Sequence, residues 1–129
     1  MQRIAITGAS GLIGTALVGK LKSDGYTVQR LVRRPTVSPE EIFWNPAQSE
    51  IDLDSLAGVD AVIHLAGAGV GDKRWTKKYK SEILNSRLLG TTTIANAVSQ
   101  VKPKVFISSS AIGWYGETGN RAVIESDRG

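Results

Sequence analysis

The stretch Ile4-Ala5-Ile6-Thr7-Gly8-Ala9-Ser10-Gly11-Leu12-Ile13-Gly14 runs from a short apolar segment through a glycine-rich turn into the opening of a helix. A turn that holds a phosphate needs this order. Glycine lets the backbone bend sharply and approach an anion, and the free N–H groups and positive dipole end of the following helix face the charge. Gly8 is expected to make the turn, Gly11 the close approach, and Gly14 the tight contact between helix and strand. The spacing is Gly-x-x-Gly-x-x-Gly, not the Gly-x-Gly-x-x-Gly of many dehydrogenases, and no Gly-Lys-Ser/Thr follows to make a triphosphate loop. An ordinary strand-to-helix turn has the same pattern, so the flanking residues decide.

Ile4-Ala5-Ile6 is continuous in apolar character, as a central parallel strand covered on both faces must be. After the turn, Leu12, Ala16, Leu17 and Leu21 recur at helical spacing, and Asp24-Gly25 ends the helix with Gly25 at the cap. Residues 26–32 alternate and are branched enough for a second strand, which ends in Arg33-Arg34-Pro35. Strand, helix and strand make a mononucleotide-binding half. The adenosine ribose lies at the end of such a second strand, where an Asp or Glu would accept its hydroxyls and repel a 2′-phosphate. This chain has Arg33 and Arg34 there. Guanidinium groups fork onto phosphate oxygens and stack on adenine, so the pair predicts NADP over NAD; the alternative is a solvated basic strand end.

Farther out, residues 41–44 make a short third strand, followed by the turn Asn45-Pro46 and a weak helical stretch over 53–56. Trp44 fits a buried edge-strand position better than an adenine contact. Residues 60–67 form a buried strand ending in small residues, where a cofactor can lie against the backbone. His64, the only histidine, sits inside that apolar strand and suits packing better than general-base work. With one His, no Cys and no His-x-x-x-His, no metal site is expected.

Residues 72–101 form the longest helical stretch, with Leu84, Leu88, Thr91, Ala95 and Val98 on one face and Ile83, Gly90, Ile94, Ala97 and Val101 beside it. So wide a stripe belongs to a helix packed on a sheet. The basic, aromatic run 73–80 near its start reads as a solvated face in preference to a stacking surface, so no nucleic-acid partner is expected. Glu82 and Arg87 fall where the helix passes the cofactor mouth, either touching the nicotinamide ribose or a phosphate, or pairing with neighbours. A last strand over 104–110 brings Ser108, Ser109 and Ser110 to the carboxyl end of the sheet, where such sheets bind ligands.

A length of 129 residues suits one domain, and 41% hydrophobic with 22% charged residues is typical of a globular one. The net charge of +4 favours anionic ligands without itself arguing for nucleic acid. Absence of cysteine excludes disulfides and thiol catalysis and permits a cytoplasmic location, which is expected. No run reaches the roughly 18 apolar residues of a membrane helix.

Taken together, Thr-Gly-x-x-Gly-x-x-Gly at 7–14, His-Leu-Ala-Gly at 64–67 and Ser-Ser-Ser-Ala at 108–111 followed by Tyr115-Gly116 resemble the extended short-chain dehydrogenase/reductase superfamily. Within it, Arg33-Arg34-Pro35, Arg74-Trp75, Ser86-Arg87 and Gly113-Trp114-Tyr115-Gly116 are similar to the sugar-nucleotide epimerase, or NAD-dependent epimerase/dehydratase, group. The resemblance covers essentially the whole chain. It implies an α/β, three-layer Rossmann fold with parallel strand order 3-2-1-4-5. Residues 1–129 would be one incomplete NAD(P)-binding domain, truncated before the last strands and the substrate-binding part. It places the pyrophosphate on Gly8, Gly11, Leu12 and Ile13, with Ser10 in the same cofactor-binding turn. It places the 2′-phosphate on Arg33, with Arg34 as a second candidate, and the inner edge of the cofactor along Leu65, Ala66 and Gly67. Glu82 and Arg87 stand as further cofactor contacts, and Ser110 would bind the substrate oxygen.

The implied chemistry is hydride transfer at a carbon bearing oxygen in a small-molecule substrate, with sugar nucleotides the implied class. One departure stands out. The superfamily's acid/base Tyr, followed four residues later by a Lys that lowers its pKa, does not follow Ser110; Tyr115 matches the Tyr-Gly of the family and is not that residue. Members of this group do not always keep the pair. The chain is therefore expected to be the amino-terminal portion of a longer protein, with its final strand at an edge that later strands cover. A non-catalytic NADP-binding sensor is the alternative function.

Overall fold

The computed structural model describes residues 2–66 and 76–109. At its centre β1 (Arg3–Thr7) pairs in parallel with β2 (Thr27–Val32) on one side and β5 (Ala61–His64) on the other. Because alternate residues of a strand point to opposite faces, the run 4–6 feeds two cores. Ile4 and Ile6 pack with Val28, Ile63 and Val18 of α1 (Leu12–Ser23). Ala5 packs with Leu31, Val62 and Ile42 of β3 (Glu41–Asn45), against Ile94 and Ala97 of α3 (Lys77–Val101). Leu56, from the one-turn helix α2 (Leu53–Leu56), closes this second core. The result is three layers, with a sheet between helices.

Including β4 (Glu50–Ile51) and β6 (Val105–Ser108), the strand order is β4-β3-β2-β1-β5-β6. The five longer strands stand in the expected 3-2-1-4-5 order, and every pairing among them is parallel. The short antiparallel strand β4 is an addition: Trp44 pairs with Ile51, and Asn45 with Glu50. Two residues are too few to show an alternation in sequence. The 3-10 turn Pro46–Gln48 and the left-handed Ser49 (φ 56) fold this segment back onto β3.

The end of α1 follows its glycine. Gly25 has φ +91, its N–H donates to the Lys22 carbonyl at 3.1 Å, and the Tyr26 N–H donates to Leu21 at 3.0 Å. This is the paired closure that a left-handed glycine permits. The long helix departs from expectation in two ways. Thr76 is its N-cap, with Oγ1 accepting the Tyr79 N–H at 3.1 Å, so α3 starts at Lys77 and not at 72. The buried face is Tyr79, Gly90, Thr93, Ile94 and Ala97, whereas Leu84 and Leu88 of the neighbouring stripe are 57% and 56% exposed. Two adjacent apolar stripes look alike in sequence; only the one with small Gly90 and Ala97 lets the helix settle on the sheet. At the far edge, Val105, Phe106 and Ile107 of β6 stand 37–52% exposed. No helix among the described residues is long and apolar enough to cross a membrane.

Candidate functional site

The carboxyl ends of β1, β2, β3 and β5 open into a crevice of about 1070 Å³, walled on one side by α3. Gly8, Ser10, Gly11, Arg33, Arg34, Leu65, Ala66 and Glu82 all line it. Residues as far apart in sequence as Gly8 and Gly90 therefore share one cavity, at the place where open parallel sheets take ligands.

The turn after β1 depends on its glycines. Gly8 has φ +68, and a Cβ there would lie 2.8 Å from the Ala66 nitrogen and 2.8 Å from the Leu65 carbonyl carbon. A Cβ on Gly14 would lie 2.2 Å from the Gly8 oxygen. Gly11 donates its N–H to the Gly8 carbonyl at 3.2 Å and serves as the N-cap of α1 without a side chain to cap it. The first-turn N–H groups of α1 have no carbonyl within the helix to bond. Leu12 and Ile13 are absent from the crevice lining and are 92% and 70% exposed, so their backbone N–H groups, at the start of α1, are all they offer an anion.

The two arginines at the end of β2 differ. Among the described residues Arg33 makes no ion pair or hydrogen bond. Arg34 forks onto Glu41, with Nη1 3.0 Å from Oε1 and Nη2 on Oε2, and Glu41 also accepts the Val37 N–H at 2.9 Å. The guanidinium, then the Val37 N–H, hold the Glu41 carboxyl below its usual range, and Glu41 in turn raises Arg34. Arg34 thus fastens the loop 33–41, a tie between residues seven apart that neither one's local pattern announces.

Opposite the turn, the wall at the end of β5 is held by side chains. Thr7 is fully buried and His64 is 2% exposed. Thr7 Oγ1 accepts the N–H groups of Leu65 at 3.0 Å and Ala66 at 3.1 Å, and lies 2.7 Å from His64 Nδ1. His64 Nε2 is 3.2 Å from Thr91 Oγ1 on α3, and Trp44 meets the imidazole edge-on, with centroids 6.2 Å apart. Burial, then the charge of Arg87, holds the His64 ring below its usual value. Both His64 and Trp44 are buried, and Trp44 also lines the crevice.

Glu82 reaches the crevice, while Arg87 is absent from its lining and acts on His64 instead. Tyr79, Asn85 and Ser86 of α3 line the crevice and were not expected to. The spacing 79, 82, 86 and 90 is one helical face, and it becomes legible once Gly90 is known to touch the sheet. Tyr79 is 5% exposed, so the aromatic of the basic run that lies in α3 is turned inward. Gly67, Arg74, Trp75, Ser110, Trp114 and Tyr115 lie outside the described residues. Among the described residues no three His, Asp or Glu side chains converge as a metal site would need.

The family model described as NAD dependent epimerase/dehydratase family matches residues 4–128. An epimerase family protein of Mycobacterium leprae is 42% identical over 125 residues, covering 97% of this chain and 41% of the relative. A human epimerase family protein crystallised with NADPH superposes with a TM-score of 0.79 at 28% identity, over 99% of this chain and 43% of that one. The protein MoeE5, in complex with UDP-glucuronic acid and NAD, gives 0.75 at 30% identity, over 98% and 42%. The chain thus spans well under half the length of these relatives.

Proposed function

This chain belongs to the NAD dependent epimerase/dehydratase family, and we propose that it is the dinucleotide-binding part of an epimerase-type oxidoreductase that prefers NADP. The observation that carries the preference is Arg33, unpaired among the described residues, on the same crevice as the uncapped start of α1. The human relative holds NADPH and MoeE5 holds NAD, so the family alone leaves the choice to local chemistry.

The fit rests on this chain's own residues. The cradle at Gly8 and Gly11 has no side chain to obstruct an anion, and the N–H groups of Leu12 and Ile13 would hold the pyrophosphate there. Arg33 would fork onto the 2′-phosphate. Glu41 also lines the crevice, and a free carboxylate there would repel that phosphate; Arg34 cancels its charge by pairing with it. Leu65 and Ala66 would form the inner wall, and Glu82 the contact from α3. The bound dinucleotide supplies the hydride acceptor and donor. By family likeness Ser110 would polarise the substrate oxygen, and the sugar nucleotide bound by MoeE5 supports that substrate class.

Calorimetric titration with NADPH and with NADH tests the preference. Arg33→Ala should weaken NADPH binding at least about tenfold, the scale of one charge-assisted hydrogen-bonded contact, and leave NADH nearly unchanged. Equal losses for both would remove the case for NADP. Binding without turnover of any sugar nucleotide by the longer protein would favour the sensor.

A further inference from the structure

We propose that His64 is a positioning residue for the dinucleotide crevice, held as the neutral tautomer with its proton on Nε2 and tying the Thr7 hydroxyl to Thr91 on α3. The inference rests on the dinucleotide reading above and adds to it a residue that has no place in the crevice lining.

Hydrogen-bond counting assigns the tautomer. A threonine hydroxyl has one hydrogen to donate and two lone pairs to accept with. Thr7 Oγ1 already accepts two N–H groups, from Leu65 at 3.0 Å and Ala66 at 3.1 Å. Both lone pairs are taken, so at 2.7 Å the contact with His64 has the hydroxyl donating to Nδ1. Nδ1 is then without a proton, and the ring carries it on Nε2, which donates to Thr91 Oγ1 at 3.2 Å. Thr7 and His64 are both buried, where an unmet donor or acceptor is costly.

The chain of bonds has a structural output. The two N–H groups that Thr7 gathers belong to the segment against which Gly8 packs, at 2.8 Å from where its Cβ would stand. Setting Leu65 and Ala66 therefore sets the distance between the phosphate turn and the inner wall. Through Thr91 the same chain ties α3, which carries Tyr79, Glu82 and Ser86 on the crevice, to the end of β5.

Acid should break it. A proton on Nδ1 would point an N–H at an oxygen whose lone pairs are occupied. The groups around the ring among the described residues are Thr7 from β1, Trp44 from β3, Ser108 paired with it on β6, and Thr91, Gly90 and Arg87 on α3. Of these Arg87 alone is charged, and like burial it disfavours the imidazolium. The contribution of the neutral ring is present above the ordinary histidine value of about 6.5 and is lost as pH falls through the lowered one.

His64 is the only histidine of this 129-residue chain, so nitrogen-15 labelling of the chain reports a single imidazole. In the ligand-free protein at neutral pH, Nδ1 should have the shift of an unprotonated acceptor and Nε2 that of a protonated nitrogen. A proton on Nδ1, or titration at the ordinary value, overturns the proposal. Thr7→Val keeps the shape and removes the hydroxyl; it should release the tautomer and weaken dinucleotide binding about tenfold, while Thr7→Ser retains both. Unchanged affinity in Thr7→Val with the tautomer released also overturns it. A wild-type protein that takes no dinucleotide sinks the functional reading and with it the crevice role, and is told apart from failure of the tautomer by the ligand-free spectrum.

Discussion

On one side of the crevice the turn at 8–11 is made of backbone, with Gly8 accepting the Gly11 N–H at 3.2 Å and no side chain capping α1. On the other side the wall at 65–66 is held by Thr7, His64 and Thr91, drawn from β1, β5 and α3. The first wall is limited by space, and the second by which atoms carry protons. A methyl group should damage the backbone wall according to where it points, whereas the side-chain wall should respond to hydroxyl loss and to pH.

The largest effect is expected from Gly14→Ala. Its Cβ would meet the Gly8 oxygen at 2.2 Å and two Ala9 backbone atoms at 2.8 and 2.9 Å, none of which can swing aside as a side chain would. Thermal or urea unfolding should show a loss of roughly 3 kcal/mol or more. Wild-type stability would mean that α1 does not sit this close to the turn.

Gly11→Ala is smaller and of a different kind. Its Cβ would be 3.5 Å from the Gly8 oxygen, an ordinary contact, and its φ of −73° suits alanine. Stability should fall by no more than about 1 kcal/mol, the scale of a changed N-cap, while dinucleotide affinity falls about tenfold because the methyl occupies the anion's path. Equal affinity would show that the phosphate approaches elsewhere.

Gly19→Ala marks the lower end. Nothing lies within 4 Å of a Cβ at this position inside α1, so alanine should raise stability by about 0.5–1 kcal/mol through helix propensity alone. A loss on unfolding would reveal a neighbour at that face.

Legibility in the sequence divides along the same line. The turn could be read because its requirements fall within seven consecutive residues, and the five longer strands because buried parallel strands are apolar throughout. Arg33 and Arg34 are adjacent in sequence yet end differently, one unpaired among the described residues and one forked onto Glu41. Glu41 itself looks like any strand-end acid until β3 lies beside β2, with Arg30 in register with Glu41. The crevice face of α3 was hidden for a related reason, since helical periodicity gives the angle between residues but not which angle faces the sheet.

The amino-acid sequence by itself determined the strand–turn–helix order, the glycines at 8, 11 and 14, and the basic end of the second strand. These depend on backbone freedom, periodicity and charge over a few residues. Tertiary structure alone decided that Thr7, His64 and Thr91 are within hydrogen-bonding distance, that Arg34 is occupied, and that Tyr79, Glu82 and Ser86 reach the crevice. Hydrogen bonds and ion pairs act over about 3 Å, and only folding brings residues 57 or 27 positions apart within that range.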